Sequence, residues 1–248
     1  MAIIYKNLTN YTKYLLKIIK YKLKESEKSF VPLLNNDIKL FFLNNLKIKN
    51  LKTVKQLSLK ICPKRLIKIQ NYPPIKQLQS LIAFWLLLYA LKFNLKITHK
   101  LEFFKINGKL HLKFPKNVFF NLSHTNDAAV CALATSEIGV DIETVRPINL
   151  NLAKKICCYS ELIEFNKIST PNDFLIKLWT IKESYAKMKA NSIFYNLQNL
   201  NYRNMKNIQS IKLKNYIISI SCKTNTKLKI KQVNFKNLLF QLKKLKKQ

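Results

Sequence analysis

Gly139-Val140-Asp141-Ile142-Glu143 is the segment on which the reading of the fold turns. Alternation with period 2 predicts a strand that sends Val140 and Ile142 to one face and Asp141 and Glu143 to the other. Two carboxylates side by side on a half-buried strand need compensation, because repulsion and desolvation both oppose them. A divalent cation supplies it. Oxygen donors without His or Cys suit a hard ion such as Mg²⁺, which keeps positions open for phosphate oxygens. A solvent-facing Asp-x-Glu is the alternative that spacing alone leaves open.

Working outward, Phe119-Phe120-Asn121-Leu122-Ser123 and Ala128 to Ala134 read as strands ahead of a third, Glu137 to Glu143. Downstream, Asn149 to Cys157 and Ser160 to Lys167 look helical. Pro171-Asn172-Asp173 then offers a helix start. Phe174, Leu178, Ile181 and Tyr185 recur at i, i+4, i+7 and i+11 and make one apolar face. On that helix Glu183 and Lys187 are i, i+4 neighbours. They are either an ordinary surface ion pair, or a third metal ligand with Lys182 and Lys187 holding phosphates as point charges.

Farther upstream, Ile38 to Leu43 is strand-like and is followed by a helical stretch through Leu57. A short helix opens at Pro63, and a long apolar helix runs from Gln77 to Phe93. Ile97 to Phe104 and His111 to Phe114 flank Asn107-Gly108, a hairpin turn signal. Leu200 to Tyr202, Ile208 to Leu213, Tyr216 to Ser221 and Leu228 to Val233 read as closing strands, before a basic tail from Lys243. Residues 1–35 read as a basic N-terminal extension with the pattern of an amphipathic helix, 36–117 as one half and 118–240 as a second half carrying the acidic pair. The halves look alike in element content, with short antiparallel strands and a long helix each, and no repeat shows in the residues.

Composition narrows the function classes. The chain has 248 residues, 48% of them hydrophobic, which is globular and not disordered. Forty-five Lys and Arg against 12 Asp and Glu give a formal net charge of +33. Lys, Asn and Ile are abundant at positions with no pattern, which points to coding bias as the main source. The sign still favours acidic ligands. With only two glycines, Gly108 and Gly139, each is expected to mark a backbone position that tolerates little else. Five cysteines without a Cys-x-x-Cys pair, and three histidines without zinc spacing, imply free thiols in a reducing cytoplasm. The N-terminus shows no signal-peptide pattern. The most apolar run, Leu81 to Leu91, is shorter than the roughly 20 residues a bilayer span needs, so a buried helix and no membrane span are expected.

Three blocks together resemble a known family. Gly139-Val140-Asp141-Ile142-Glu143 is followed by Trp179-Thr180-Ile181-Lys182-Glu183-Ser184-Tyr185-Ala186-Lys187 and preceded by Phe120-Asn121-Leu122-Ser123-His124-Thr125. In order and separation they resemble the 4′-phosphopantetheinyl transferases of the surfactin-synthetase-activating type. The resemblance implies an α+β fold, a pseudo-dimer of two similar halves with the active site in the cleft between them. It also implies a monomeric enzyme that uses Mg²⁺. Such an enzyme moves the phosphopantetheine arm of coenzyme A onto a serine of an acyl or peptidyl carrier protein and releases 3′,5′-ADP.

Carried over by motif, Asp141, Glu143 and Glu183 match the magnesium ligands. Ser123 and His124 match contacts to coenzyme A phosphates, Lys182 and Lys187 the lysines at the pyrophosphate, and Lys109 the lysine of a Gly-Lys-Pro segment. Glu161 matches a glutamate proposed as base, so that Glu183, Lys187 and Glu161 form the expected catalytic set. Upstream, Cys62 to Lys68 makes Arg65 and Lys68 candidates for the 3′-phosphate and adenosine, and Gln79-Ser80-Leu81 places Ser80 in a matching segment. The chain departs from the pattern at Gln79, Ala83 and Leu110, and in Lys189-Ala190-Asn191-Ser192, where the family has Arg, Gly, Pro and a glycine-bearing loop. Two other readings compete. A basic nucleic-acid-binding protein would explain the charge but leaves Asp141 and Glu143 without a role. A decayed homologue that binds a carrier protein without catalysis would explain the departures.

Overall fold

A computed structural model of the chain describes residues 37–148, 150–189 and 196–245. The expected N-terminal extension, residues 1–35, and the segment following Lys189 lie outside the described residues.

The fold is α+β. β1 (Ile38–Leu43) leads through a single 3₁₀ turn into α1 (Leu51–Ile61), α2 (Pro63–Ile69) and α3 (Pro74–Tyr89). β2 (Phe103–Ile106) and β3 (Lys109–Leu112) form a separate hairpin; β4 (Phe119–His124), β5 (Ala129–Ala134) and β6 (Ile138–Thr144) follow. After α4 (Leu150–Ile156), α5 (Tyr159–Phe165) and α6 (Pro171–Met188) come β7 (Ile208–Leu213), β8 (Tyr216–Cys222), β9 (Leu228–Gln232) and α7 (Phe235–Lys243). One sheet has the order β4-β5-β1-β9, with β1 and β9 parallel and the other pairs antiparallel. A second, fully antiparallel sheet has the order β6-β8-β7.

Period-2 alternation dictates how the sheets stack. Ile38, Leu40 and Phe42 of β1, Val130 and Ala132 of β5, Val140 and Ile142 of β6, and Ile218 and Ile220 of β8 share one buried cluster between the sheets. The opposite face of β1 and β5 presents Phe41, Leu43, Cys131 and Leu133 to α1, α3 and α7, whose Val54, Trp85 and Leu238 complete a second core. The Trp85 indole N–H donates to Ser58 Oγ at 3.0 Å, so the largest buried side chain leaves no orphan donor. On the outside of the second sheet lies α6, in contact with β6 and β8. Strand β8 is buried along its whole length because it is covered on both faces.

Several expectations change on this frame. The two halves do not keep separate sheets, since β1 from the first pairs with β5 and β9 from the second. Together with the turn that extends it, the apolar helix covers Pro74–Asn94, 21 residues, and is long and apolar enough by composition to cross a bilayer. Of its most apolar 18-residue stretch 83% is nonetheless buried inside the fold, where it serves as the core helix of the first layer. Leu200 to Tyr202 is not a strand. Single 3₁₀ turns occupy Leu197–Asn199 and Tyr202–Asn204, each started by an Asn side chain, Asn196 or Asn201, that accepts from the backbone N–H two residues on. The Asn107-Gly108 turn does form the β2–β3 hairpin, with φ of +48° and +78°.

Candidate active site

The site begins with a missing side chain. A Cβ on Gly139 would stand 1.9 Å from Ser184 O and 2.4 Å from Met188 N, so only glycine lets the α6 backbone rest directly on β6. Short hydroxyl side chains complete the approach. Thr180 meets Ser219 at 2.7 Å, Ser219 meets Ser210 at 2.8 Å, and Ser184 meets Ser221 at 2.8 Å. Thr180, Ser184, Ser219 and Ser221 are fully buried, and each hydroxyl satisfies another where a larger apolar pair would hold the helix off.

This close seat brings the Gly139, Asp141 and Glu143 face of β6 against the C-terminal half of α6. Lys187 Nζ donates to Asp141 Oδ1 at 2.5 Å and to Ser123 Oγ at 3.2 Å, and Ser123 Oγ donates to the same Asp141 oxygen at 2.8 Å. Asp141 is 5% exposed, and these two donors compensate its burial. Ser123 arrives on β4, whose Asn121 Oδ1 accepts from Val140 N at 3.0 Å and ties that strand to β6. Glu143 accepts from Arg146 Nη1 at 3.0 Å and from Thr125 Oγ1 at 3.4 Å, while the Arg146 guanidinium lies 5.6 Å from the Trp179 ring centre.

Glu183 is the third carboxylate. Burial pushes its pKa above the usual range; Lys187 opposes this, and the like charges of Asp141 and Glu143 reinforce it. The three carboxylates therefore lie within electrostatic reach of one another. They do not close on a single point: Asp141 is turned to Lys187 and Ser123, and Glu143 to Arg146 and Thr125. Among the described residues no group of three or more His, Cys, Asp or Glu side chains is arranged to hold a metal ion.

A cationic cluster adjoins them. His124, at the end of β4, has its pKa lowered to about 4, first by burial and then by Lys76, Lys187 and Arg65. It is a neutral imidazole at pH 7, and its Nδ1 is buried without a protein partner. Arg65 on α2 donates from Nη2 to Ser80 Oγ at 2.8 Å and lies 5.7 Å from the Phe84 ring centre, leaving a buried Nε unpartnered. Lys68 is exposed; partial burial and the neighbouring Lys105 and Arg65 lower its pKa.

Three expected site residues are placed otherwise. Lys182 is 0% exposed, and its ammonium donates to Glu161 Oε2 at 2.5 Å, Ile156 O at 2.7 Å and Leu197 O at 2.9 Å. All three donors are used inside the protein, so none reaches a phosphate. Glu161, 1% exposed, also accepts from Cys158 N at 2.8 Å and Tyr202 N at 3.0 Å, which removes it as a base for an incoming hydroxyl. The reason is helical geometry: one step along α6 turns a side chain by about 100°, so Lys182 faces α5 while Glu183 faces β6. Lys109 Nζ donates to Ile138 O, Lys187 O and Met188 O at 2.9, 2.9 and 3.2 Å, and so secures the end of α6. Burial lowers its pKa to about 8.

Arg146, Lys76 and Lys105 join the site without having been singled out in the sequence. Lys76 alone had a readable signal, its position four residues before Ser80 on one helix. Gln79, where the family pattern has Arg, is fully buried and donates to Asn126 O at 3.1 Å.

Carboxylates of a strand and a helix thus lie beside a cationic cluster around His124, with the Ser123 hydroxyl between Asp141 and Lys187. Residues 137–233 match the family model of the 4′-phosphopantetheinyl transferase superfamily. The chain is similar to 4′-phosphopantetheinyl transferase Sfp of Bacillus subtilis (strain 168), 33% identical over 87 residues, or 34% of this chain and 38% of the relative. It is similar also to 4′-phosphopantetheinyl transferase psf-1 of Bacillus pumilus, 31% identical over 101 residues, 39% of this chain and 42% of the relative. A third relative is 4′-phosphopantetheinyl transferase gsp of Aneurinibacillus migulanus, 33% identical over 82 residues, 32% of this chain and 34% of the relative. The matches span about two-fifths or less of the length of these curated relatives.

Proposed function

We propose that the protein transfers the 4′-phosphopantetheine arm of coenzyme A to a serine hydroxyl of an acyl or peptidyl carrier protein, releasing 3′,5′-ADP. The observation that carries the proposal is the meeting of Ser123, Asp141 and Lys187, from three separate elements, beside Glu183 and His124.

Lys187 is the mobile charge of the site: a long side chain, partly exposed and hydrogen-bonded to Ser123, it can turn to the oxygens of the pyrophosphate that is cleaved. Neutral His124, with an unpartnered Nδ1, and Arg65, with donors to spare, bind phosphate oxygens and orient the nucleotide. Transfer of this kind is dominated by positioning and charge stabilisation, so it requires no protein nucleophile. Asp141, Glu143 and Glu183 would hold Mg²⁺, which when bound supplies positive charge against the pyrophosphate oxygens. The donor set, three carboxylates with no His or Cys, fits that hard ion, and mutual repulsion at Glu183 is what a cation there would relieve.

Two sheets, each packed with a long helix, support the pseudo-dimer reading, with coenzyme A in the cleft beside β4 and β6. Five free cysteines, four of them buried, suit a reducing cytoplasm, where the protein acts as a monomer. The test is mass spectrometry of an apo carrier protein incubated with the chain, coenzyme A and Mg²⁺. One phosphopantetheine is gained, and EDTA prevents it. No mass gain with any acyl or peptidyl carrier would refute the assignment.

A further inference from the structure

Strands β1 and β9 run parallel, and their pairing sets Lys39 directly opposite Lys229 and Phe41 opposite Lys231. Alternation with period 2 then puts all three lysines on one face of the sheet. Like charges opposite one another on neighbouring strands repel. Together with Asp37, Phe41 and Asn94, the three lysines line a cavity of about 360 Å³. Lys39 Nζ donates to Asn94 Oδ1 at 3.2 Å, and Lys229 Nζ pairs with Asp37 Oδ2 at 2.5 Å. Lys231 Nζ lies 5.2 Å from the ring centre of Tyr89, which packs edge-on against Phe41. Partial burial first, then Lys229 and Lys231, hold the Lys39 pKa below its ordinary value, with Asp37 opposing them. Lys39 is in register with Leu133 of β5, itself opposite Phe120 of β4, whereas His124 is opposite Ala129 and Ala129 opposite Leu43. The cavity therefore lies at the far end of the sheet from the candidate active site.

Lysines on an edge strand commonly guard it against pairing with another chain. That accounts for Lys229 and Lys231 on β9, but not for Lys39, which stands on an interior strand. Among the described residues one carboxylate, Asp37, lines the cavity against three ammonium groups, which leaves two positive charges. A phosphate dianion carries the matching charge and enough acceptor oxygens to meet all three lysines. We propose that Lys39, Lys229 and Lys231 form a binding site for a phosphate dianion, taken either as the free ion or as the monoester of a small metabolite. The cavity falls at the small end of ligand sites, which span roughly 300–1,000 Å³, and so leaves room for a short ester beside Phe41. Bound there, the anion bridges β1 and β9, strands from opposite ends of the chain, and stabilises their pairing. The site is independent of the transferase reading.

The experiment is calorimetric titration of the full chain with inorganic phosphate and with glycerol 3-phosphate, at an ionic strength held constant with sodium chloride. The wild type, K39Q/K231Q, K39R/K231R and R65Q are compared. The wild type binds, and R65Q, altered in the cationic cluster at His124, still binds. K39R/K231R retains the affinity, and K39Q/K231Q weakens it by about tenfold or more, the scale of lost charge-assisted contacts. Thermal melts run alongside: phosphate raises the melting temperature of the wild type and R65Q, and that rise is lost in K39Q/K231Q. If the double variant does not fold, K39Q alone serves the same comparison. Tighter binding of glycerol 3-phosphate identifies the monoester as the ligand, and binding of inorganic phosphate alone identifies the free ion. Equal affinity in K39Q/K231Q and the wild type, loss of binding in R65Q instead, or no binding of either anion overturns the site and leaves the transferase reading standing. A chain that binds phosphate at Lys39 yet modifies no carrier keeps the site and refutes the transferase.

Discussion

At the scale of single residues, Glu183 and His124 carry opposite perturbations for one reason, burial beside charge. Glu183 sits above the usual carboxylate range, and Glu183→Gln keeps its shape while removing its charge. Transfer activity is expected to fall by about 10²-fold or more with the melting temperature preserved, read by carrier-protein mass spectrometry and a thermal melt. Full activity in this variant would show that Glu183 is no ligand. His124 has a pKa lowered to about 4, against an ordinary value near 6.5. Between those values the unfolded chain binds a proton that the folded chain refuses, so stability increases with pH across that window and is lost progressively on acidification. Melts at pH 4.5, 5.5 and 7 are expected to show a steeper loss for the wild type than for His124→Gln; parallel curves would contradict the burial argument. Lys182 and Glu161 make the buried pair. Lys182→Met leaves a charge without its partner and is expected to cost about 3–5 kcal/mol of stability by urea denaturation. A phosphate ligand would instead raise KM for coenzyme A at unchanged stability.

At the scale of elements, the contact that makes the site is α6 on β6. Gly139 and the hydroxyls of Thr180, Ser184, Ser219 and Ser221 set its depth, and Lys109 holds its end. Gly139→Ala places a methyl group against backbone, which cannot swing aside as a side chain can. The expected result is destabilisation by about 3 kcal/mol together with a loss of transfer, because Glu183 and Lys187 ride on the displaced helix. Normal melting and normal activity in G139A would mean that the helix seat is looser than described.

At the scale of the whole molecule, the formal net charge of +33 is a field rather than a site. In the proposed function it would steer encounter with an acidic carrier protein, and the steering would be screened with a Debye length of about 10 Å at 0.1 M salt. The expected signature is a kcat/KM that falls steeply with ionic strength while kcat changes little. A salt-insensitive kcat/KM would remove electrostatic recognition from the account.

The sequence by itself determined the strands around Asp141, the α6 helix, the hairpin at Gly108, the special standing of both glycines and the resemblance of residues 137–233 to one superfamily. Each is a local signal, legible because periodicity and turn chemistry act over a few neighbours. It also named the residues that meet, Ser123, Asp141 and Lys187, through their motifs. Only the tertiary structure decided that Lys182 and Glu161 neutralise one another in the core and that Lys109 secures a helix end. The helix α7, which covers the first core, and the pairing of β1 with β9 were likewise invisible in the order of residues. Which face of a helix is buried, and which distant charge it meets, depends on contacts between segments far apart in the chain, and no short-range pattern encodes them.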